Sequence, residues 1–191
     1  MRRFGFASLA LLLLQGPLLA DTPATTQWVL ATAKATGRGG EEFVSSLRIV
    51  NPFPYTANVS LTYLAQSPID GDNAATGDNG SAPQVRVLVA AGETLAIEDV
   101  LGTTFAGKAA PFGIPAGGIR VDSDAPVSVL SRTFVANARS ASGVPGTYGF
   151  SLPAQTAGQT VSEGETAWLT YGPSSPSATL GFRANLILLN T

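Results

Sequence analysis

The sequence predicts an all-β fold, an antiparallel sandwich or barrel of about 7–9 strands. Three observations carry that expectation. Past the N-terminal segment there is almost no helical periodicity, short runs alternate apolar with polar residues, and clusters of Gly, Pro, Asp and Asn separate the runs.

The expected strands are Gln27–Ala35, Glu42–Asn51, Ala57–Leu64, Gln84–Val89, Thr94–Ile97, Gly118–Asp122, Val127–Val135 and Thr147–Leu152. In the third, Val59, Leu61 and Tyr63 share one face, with Asn58, Ser60 and Thr62 on the other. Period two assigns the first set to the core. Val85, Val87 and Val89 stand against Gln84, Arg86 and Leu88 in the same way. Gly92 supplies the tight turn in Ala90-Ala91-Gly92-Glu93. Ser123-Asp124-Ala125-Pro126 is read as a turn between two strands, because Asp bonds its own downstream backbone and Pro fixes φ. Ile97–Leu101 is expected as a single helical turn across one end of the fold, stopped by Gly102.

The N-terminus is built for export. Met1-Arg2-Arg3 is positive, Phe4 to Leu14 is apolar or small, and Gln15-Gly16-Pro17 breaks the run before Leu18-Leu19-Ala20 and polar Asp21-Thr22-Pro23. That is the secretory pattern, with cleavage expected after Ala20. The apolar run is shorter than the roughly 20 residues a membrane span needs. A chain of 191 residues less its first 20 leaves 171, enough for one core. Loss of Arg2 and Arg3 takes the 11 basic residues to 9, against 13 acidic. No clustered basic surface is left to suggest nucleic acid as a partner. There is no Cys, so no disulfide staples the fold.

An internal repeat divides the chain. Trp28-Val29-Leu30 is followed, after a polar linker, by Phe43-Val44-Ser45-Ser46-Leu47-Arg48-Ile49-Val50-Asn51. Trp168-Leu169-Thr170 is followed likewise by Phe182-Arg183-Ala184-Asn185-Leu186-Ile187-Leu188-Leu189-Asn190. The expected organisation is therefore a signal peptide at 1–20, a short leader at 21–27 and a β-sandwich module at 28–153. A linker at 154–166 then leads to a terminal β-hairpin at 167–191 that begins a second, incomplete module. That hairpin is expected to dock on an edge of the first module or to remain poorly ordered.

Leu47-Arg48-Ile49-Val50-Asn51-Pro52, Ala57–Leu61, Val89–Glu93 and Gly118–Val127 together make the chain resemble the tandem Ig-like or adhesion-related β-sandwich modules of bacterial secreted and surface proteins. The resemblance covers most of residues 28–153. It implies an antiparallel Ig-like β-sandwich acting as spacer, adhesive module or accessory domain, with no shared catalytic residues. The Cys pair of antibody-like domains is missing.

Catalytic chemistry is sparse. With no His and no Cys, neither a Ser-His-Asp nor a Cys-His site can be assembled, nor a zinc site ligated by those residues. Neither Lys34 nor Lys108 sits in a Ser-x-x-Lys arrangement, and no phosphate-binding Gly-x-x-x-x-Gly-Lys occurs. Glu41, Glu42, Glu98, Asp99, Asp122 and Asp124 fall at expected turns or strand ends, where solvation and capping explain them. The chain is expected to be no enzyme and to need no cofactor. Asp70, Asp72 and Asp78 are weak calcium candidates in a Gly- and Asn-rich loop, but the spacing fails the EF-hand pattern.

Trp28 and Trp168 are expected in the core, each opening a repeat unit. Phe53 and Tyr55, set among Pro52 and Pro54, are the ligand-binding candidates, because loops carry recognition. Asn58-Val59-Ser60 and Asn79-Gly80-Ser81 match the glycosylation acceptor pattern. The expected function is a non-catalytic, secreted, periplasmic or cell-surface module serving as spacer or adhesion-type binding element. The alternatives are an accessory domain of a secreted hydrolase and a carbohydrate-binding module using exposed aromatics. Expected partners are an extracellular protein or glycan, or neighbouring modules of the same longer protein, with no membrane span after cleavage.

Overall fold

The computed structural model describes residues 22–37, 39–65, 69–70, 73–74, 81–108, 115–139, 142–161 and 164–166. The expected signal peptide and the expected terminal hairpin at 167–191 lie outside the described residues.

The all-β expectation holds. Nine antiparallel strands occur among the described residues: β1 Ala24–Thr36, β2 Glu42–Val50, β3 Ala57–Ala65, β4 Ile69–Asp70, β5 Asn73–Ala74, β6 Gln84–Val89, β7 Thr94–Ile97, β8 Ala116–Arg139 and β9 Pro145–Pro153. β4 and β5 make a small hairpin of their own, and the other strands form one curled sheet in the order β6-β3-β8-β1-β2-β7, with β9 added on β8. Because β2 also pairs with β8, the sheet folds back on itself as a half-barrel. No helix among the described residues is long and apolar enough to cross a membrane.

β8 organises the molecule. Its first half lies between β3 and β1, with Tyr63 and Val29 both facing Ile119. Its second half lies between β2 and β9, with Ser45 and Phe150 both facing Thr133. Ser123-Asp124-Ala125-Pro126, expected as a turn, is instead the corner at which this one 24-residue strand passes from one limb of the sheet to the other. The register against β1 jumps there, from Ala24 opposite Val127 to Thr26 opposite Asp122. A bulge of this kind bends a strand without reversing it, and Asp and Pro serve a bend as well as they serve a turn.

The core lies between the two limbs. Odd-numbered residues of β8 face it, among them Ile119, Val121, Val127 and Val129, each no more than 1 % exposed. β3 contributes Val59, Leu61 and Tyr63, and β2 contributes Leu47 and Ile49, all fully buried. Each such side chain stabilises the fold by about 1.5–3 kcal/mol. A wide helical turn, Val100–Thr104, closes one end and drives buried Phe105 against Tyr63, ring centroids 5.6 Å apart. The turn starts three residues later than the sequence suggests and runs through Gly102. Asp99 accepts the Gly102 N–H at 2.8 Å, and its ion pair with Lys34 lies so close over Gly102 that a Cβ would collide with both. Gly102 therefore lies within the turn, beneath that ion pair, and does not end it.

Trp28 is not in the core. Gln27 faces Val121 and Val29 faces Ile119, so those two residues take the inward positions and Trp28, opposite Arg120, is half-buried on the other face. The buried Gln27 amide serves the corner. Its Nε2 donates to the carbonyls of Ala24 and Val127, the pair on one side of the register jump. An unmade buried bond costs about 1–3 kcal/mol, and the Oε1 of the same amide is buried without a partner among the described residues.

Residues 154–166, expected as linker, begin inside the fold. Ala154 is 1 % exposed and donates its N–H to Val129, and Gln155 exchanges two backbone hydrogen bonds of 2.8 Å with Trp28.

Candidate functional site

The most organised surface loop is the β2–β3 connection, and Asn51 organises it. Its side chain is fully buried. Nδ2 donates to the carbonyls of Tyr55 at 2.6 Å, Val89 at 3.1 Å and Ala90 at 3.2 Å, while Oδ1 accepts the Phe53 N–H at 3.1 Å. The backbone adds a second tie, since Asn51 N–H donates to Glu93 and Gly92 N–H donates to Phe53. Gly92 can do this because it sits at φ +70°, which L side chains avoid. One amide thus clamps this loop to the Ala90–Glu93 turn.

The clamp presents the two aromatic candidates together. Phe53 and Tyr55 stack with ring centroids 5.6 Å apart and planes inclined by 15°. Phe53 is half-buried, whereas Tyr55 is 51 % exposed. Pro52 and Pro54 limit φ on either side, so the pair is held with little conformational freedom to lose on binding.

Two residues beyond Thr56, on the outer face of β3, lies an open basin of about 280 Å³ with a mixed lining of Asn58, Ser60, Arg86, Leu88 and Asp124 together with Val59 and Val87. Its volume is just under the ~300 Å³ lower bound for ordinary small-molecule pockets. Asn58 lies opposite Leu88 and Ser60 opposite Arg86, so the β3–β6 register brings these side chains to one face. Asp124 arrives from the β8 corner and accepts from Asn58 twice, through its side-chain amide and its backbone N–H. Those bonds, the side-chain one foremost, hold the Asp124 carboxyl below the usual aspartate range. The basin therefore offers a fixed carboxylate, an amide, a hydroxyl and a guanidinium to a polar ligand. Sequence reading missed it, because Asn58, Arg86 and Asp124 meet only through strand pairing. The period-two alternation that put Asn58 and Arg86 on outer faces was the available signal.

The carboxylates of Glu41, Glu98, Asp99 and Asp122 have partners, whereas Glu42 is bonded through its backbone. Glu98 pairs with Arg48 at 2.6 Å, Asp99 with Lys34, and Asp122 with Arg120 at 2.9 Å and Thr26 at 3.0 Å. Glu41 accepts the Gly39 N–H at 2.9 Å, and the Glu42 N–H donates to Asn137 at 2.9 Å. Among the described residues no three of His, Cys, Asp and Glu converge on a point. Of the calcium candidates, Asp70 falls in β4, and Asp72 and Asp78 lie outside the described residues.

Comparison with known proteins adds little to this geometry. No family model matches the chain, and no curated protein matches it. Among solved structures, the crystal structure of Thermotoga maritima 1070 is similar at a TM-score of 0.46 and 14 % identity, over 72 % of this chain and 98 % of that one. At that level the likeness carries no argument.

Proposed function

We propose that this chain is a non-catalytic, extracytoplasmic β-module of the Ig-like, adhesion-related kind, serving as a spacer or adhesion-type binding element. Its recognition surface is the loop end bearing Phe53 and Tyr55. One observation carries this reading: a stacked, half-exposed aromatic pair is locked by a fully buried asparagine whose side chain makes four hydrogen bonds. An idle loop has no need of such support, whereas a contact surface gains from being preorganised. The partners that hold the Glu41, Glu98, Asp99 and Asp122 carboxylates favour binding over catalysis.

A second reading, carbohydrate recognition, is favoured by the basin beside this loop. A flat aromatic face together with Asn, Ser, Arg and Asp side chains suits a ring that carries hydroxyl groups. A glycan array tests both readings at once, with a panel of extracellular matrix proteins in parallel. Tyr55→Ala is expected to abolish binding in whichever panel responds and to leave Tm within about 2 °C, as a surface change should. Binding to neither panel, or binding indifferent to Tyr55→Ala and Phe53→Ala, overturns the assignment of this loop. The coding sequence downstream of residue 191 separates a stalk of further modules from an accessory domain beside a hydrolase.

A further inference from the structure

β9 lies at the margin of the curled sheet, and its free side follows a definite pattern. Leu130 faces Pro153, and the next residue, Ala154, donates its N–H to Val129. Even-numbered residues therefore turn their backbone groups toward β8, and odd-numbered ones turn away. Gln155 obeys the same alternation, directing both its backbone bonds away from β8 to Trp28. Along β9 the outward positions are accordingly Pro145, Thr147, Gly149, Ser151 and Pro153. Among the described residues no strand pairs with this edge.

Such an edge invites another chain, and proteins usually blunt it with charge, proline or a cover. Here there is no charged residue between Arg139 and Glu163. The two prolines stand only at the strand's ends. The side chains of Tyr148 and Phe150 remain 60 % and 50 % exposed.

We propose that β9 is a self-association edge, and that two copies of this chain pair their β9 strands antiparallel about a twofold axis through Gly149. The strand reads Pro-Gly-Thr-Tyr-Gly-Phe-Ser-Leu-Pro, a near-palindrome centred on Gly149. Antiparallel pairing about that centre sets Thr147 against the partner's Ser151, Gly149 against the partner's Gly149, and Tyr148 against the partner's Phe150. The three outward pairs made by Thr147, Gly149 and Ser151 each exchange two backbone hydrogen bonds. Pro145 falls opposite the partner's Pro153, where neither residue has an N–H to leave unpaired, so the ladder ends there at both sides. Tyr148 and the partner's Phe150 occupy the close, non-hydrogen-bonded type of pair, with Cα atoms about 4.5 Å apart. Aromatic cross-strand pairs of this type stabilise sheets, and the axis supplies two of them. The neutrality of the segment makes the second copy the fitting occupant, since a charged edge facing itself would repel.

The test is sedimentation velocity on the full exported chain, over a dilution series. The wild type is expected to dimerise. Tyr148→Glu and Phe150→Lys should each weaken the dimer at least about tenfold; at dilutions where the wild type too is monomeric their Tm should match its own, because both side chains are half-exposed or more. Mixed in equal amounts, the two variants should associate again, since the twofold register sets the new carboxylate against the new ammonium and leaves one native aromatic pair. Ser151→Pro is an independent variant that removes an outward N–H and leaves the bonds to β8 intact; it should also dissociate the dimer. A monomeric wild type overturns the proposal, including one that dimerises only once residues 167–191 are removed. So does a dimer indifferent to these variants, a mixture that stays monomeric, or growth beyond the dimer.

Discussion

Asn58 holds the Asp124 carboxylate at both oxygens, its backbone N–H on one and its side-chain amide on the other. This ties the first residues of β3 to the corner of β8, two places that only the folded sheet brings together. Because Asn58 favours the charged carboxylate, the folded state binds the Asp124 proton less readily than the unfolded chain does. The contact therefore adds stability above the ordinary aspartate pKa of about 3.9, and that stability disappears as pH falls through the lower, folded value. Comparing Tm of wild type and Asp124→Ala should show a constant gap from neutral pH down to about pH 5, closing in more acid solution. A gap that stays open in strong acid would mean that Asp124 acts through its volume and not its charge.

Asn51→Ala should cost more than its small change in volume suggests. The carbonyls of Val89 and Ala90 and the Phe53 N–H would all lose their side-chain partner. Destabilisation of about 2–3 kcal/mol is expected in urea titration. The aromatic pair should also loosen, which near-UV circular dichroism reads directly. Asn51→Asp keeps the acceptor for Phe53 and removes the donors, so it should unfold the loop while retaining part of that signal.

Tyr63 makes the alkaline counterpart of Asp124. Its ring is fully buried beside Phe105, and its hydroxyl donates to the Ala116 carbonyl at 2.6 Å. Burial pushes the phenol up to about 12. The folded state thus holds its proton longer than the unfolded state, whose tyrosines ionise near pH 10. This contribution is complete below about pH 10 and declines as pH rises toward 12. Ultraviolet titration should find one tyrosine ionising only with unfolding. In Tyr63→Phe that step should vanish, with about 0.5–1.5 kcal/mol lost at neutral pH.

Much of the fold was legible, for a reason visible in β3 and β6. There one face is buried and the other wet, so period-two alternation writes the burial pattern straight into the sequence. Gln84–Val89 and Thr94–Ile97 match the expected strands residue for residue. The corner at Ser123–Pro126 was not legible as a corner, because a bulge and a reversal use the same residue types. Trp28 misleads for a different reason. Its size suggests core, but the phase of β1 is set by its pairing with β8, and that pairing turns polar Gln27 inward. At the site, Phe53 and Tyr55 stood out by residue type and loop context. The clamp on them did not, since Asn51 reads locally as nothing more than the end of a strand. The symmetry of Pro145–Pro153 lay in plain view but acquires meaning only when the pairing shows which side of β9 is open.

The long strand β8 has a consequence for the order in which this protein can take shape. β1, β2, β3 and β9 all pair with it, yet it occupies residues 116–139, late in the chain. As synthesis delivers the polypeptide from its N-terminus, the first three strands emerge without the surface that joins them. They must wait, loosely associated, until the segment that closes both limbs arrives. Such long-range closure makes folding slow and all-or-none. A chain arrested before residue 116 would remain unfolded, and one released past Pro153 could close in a single step.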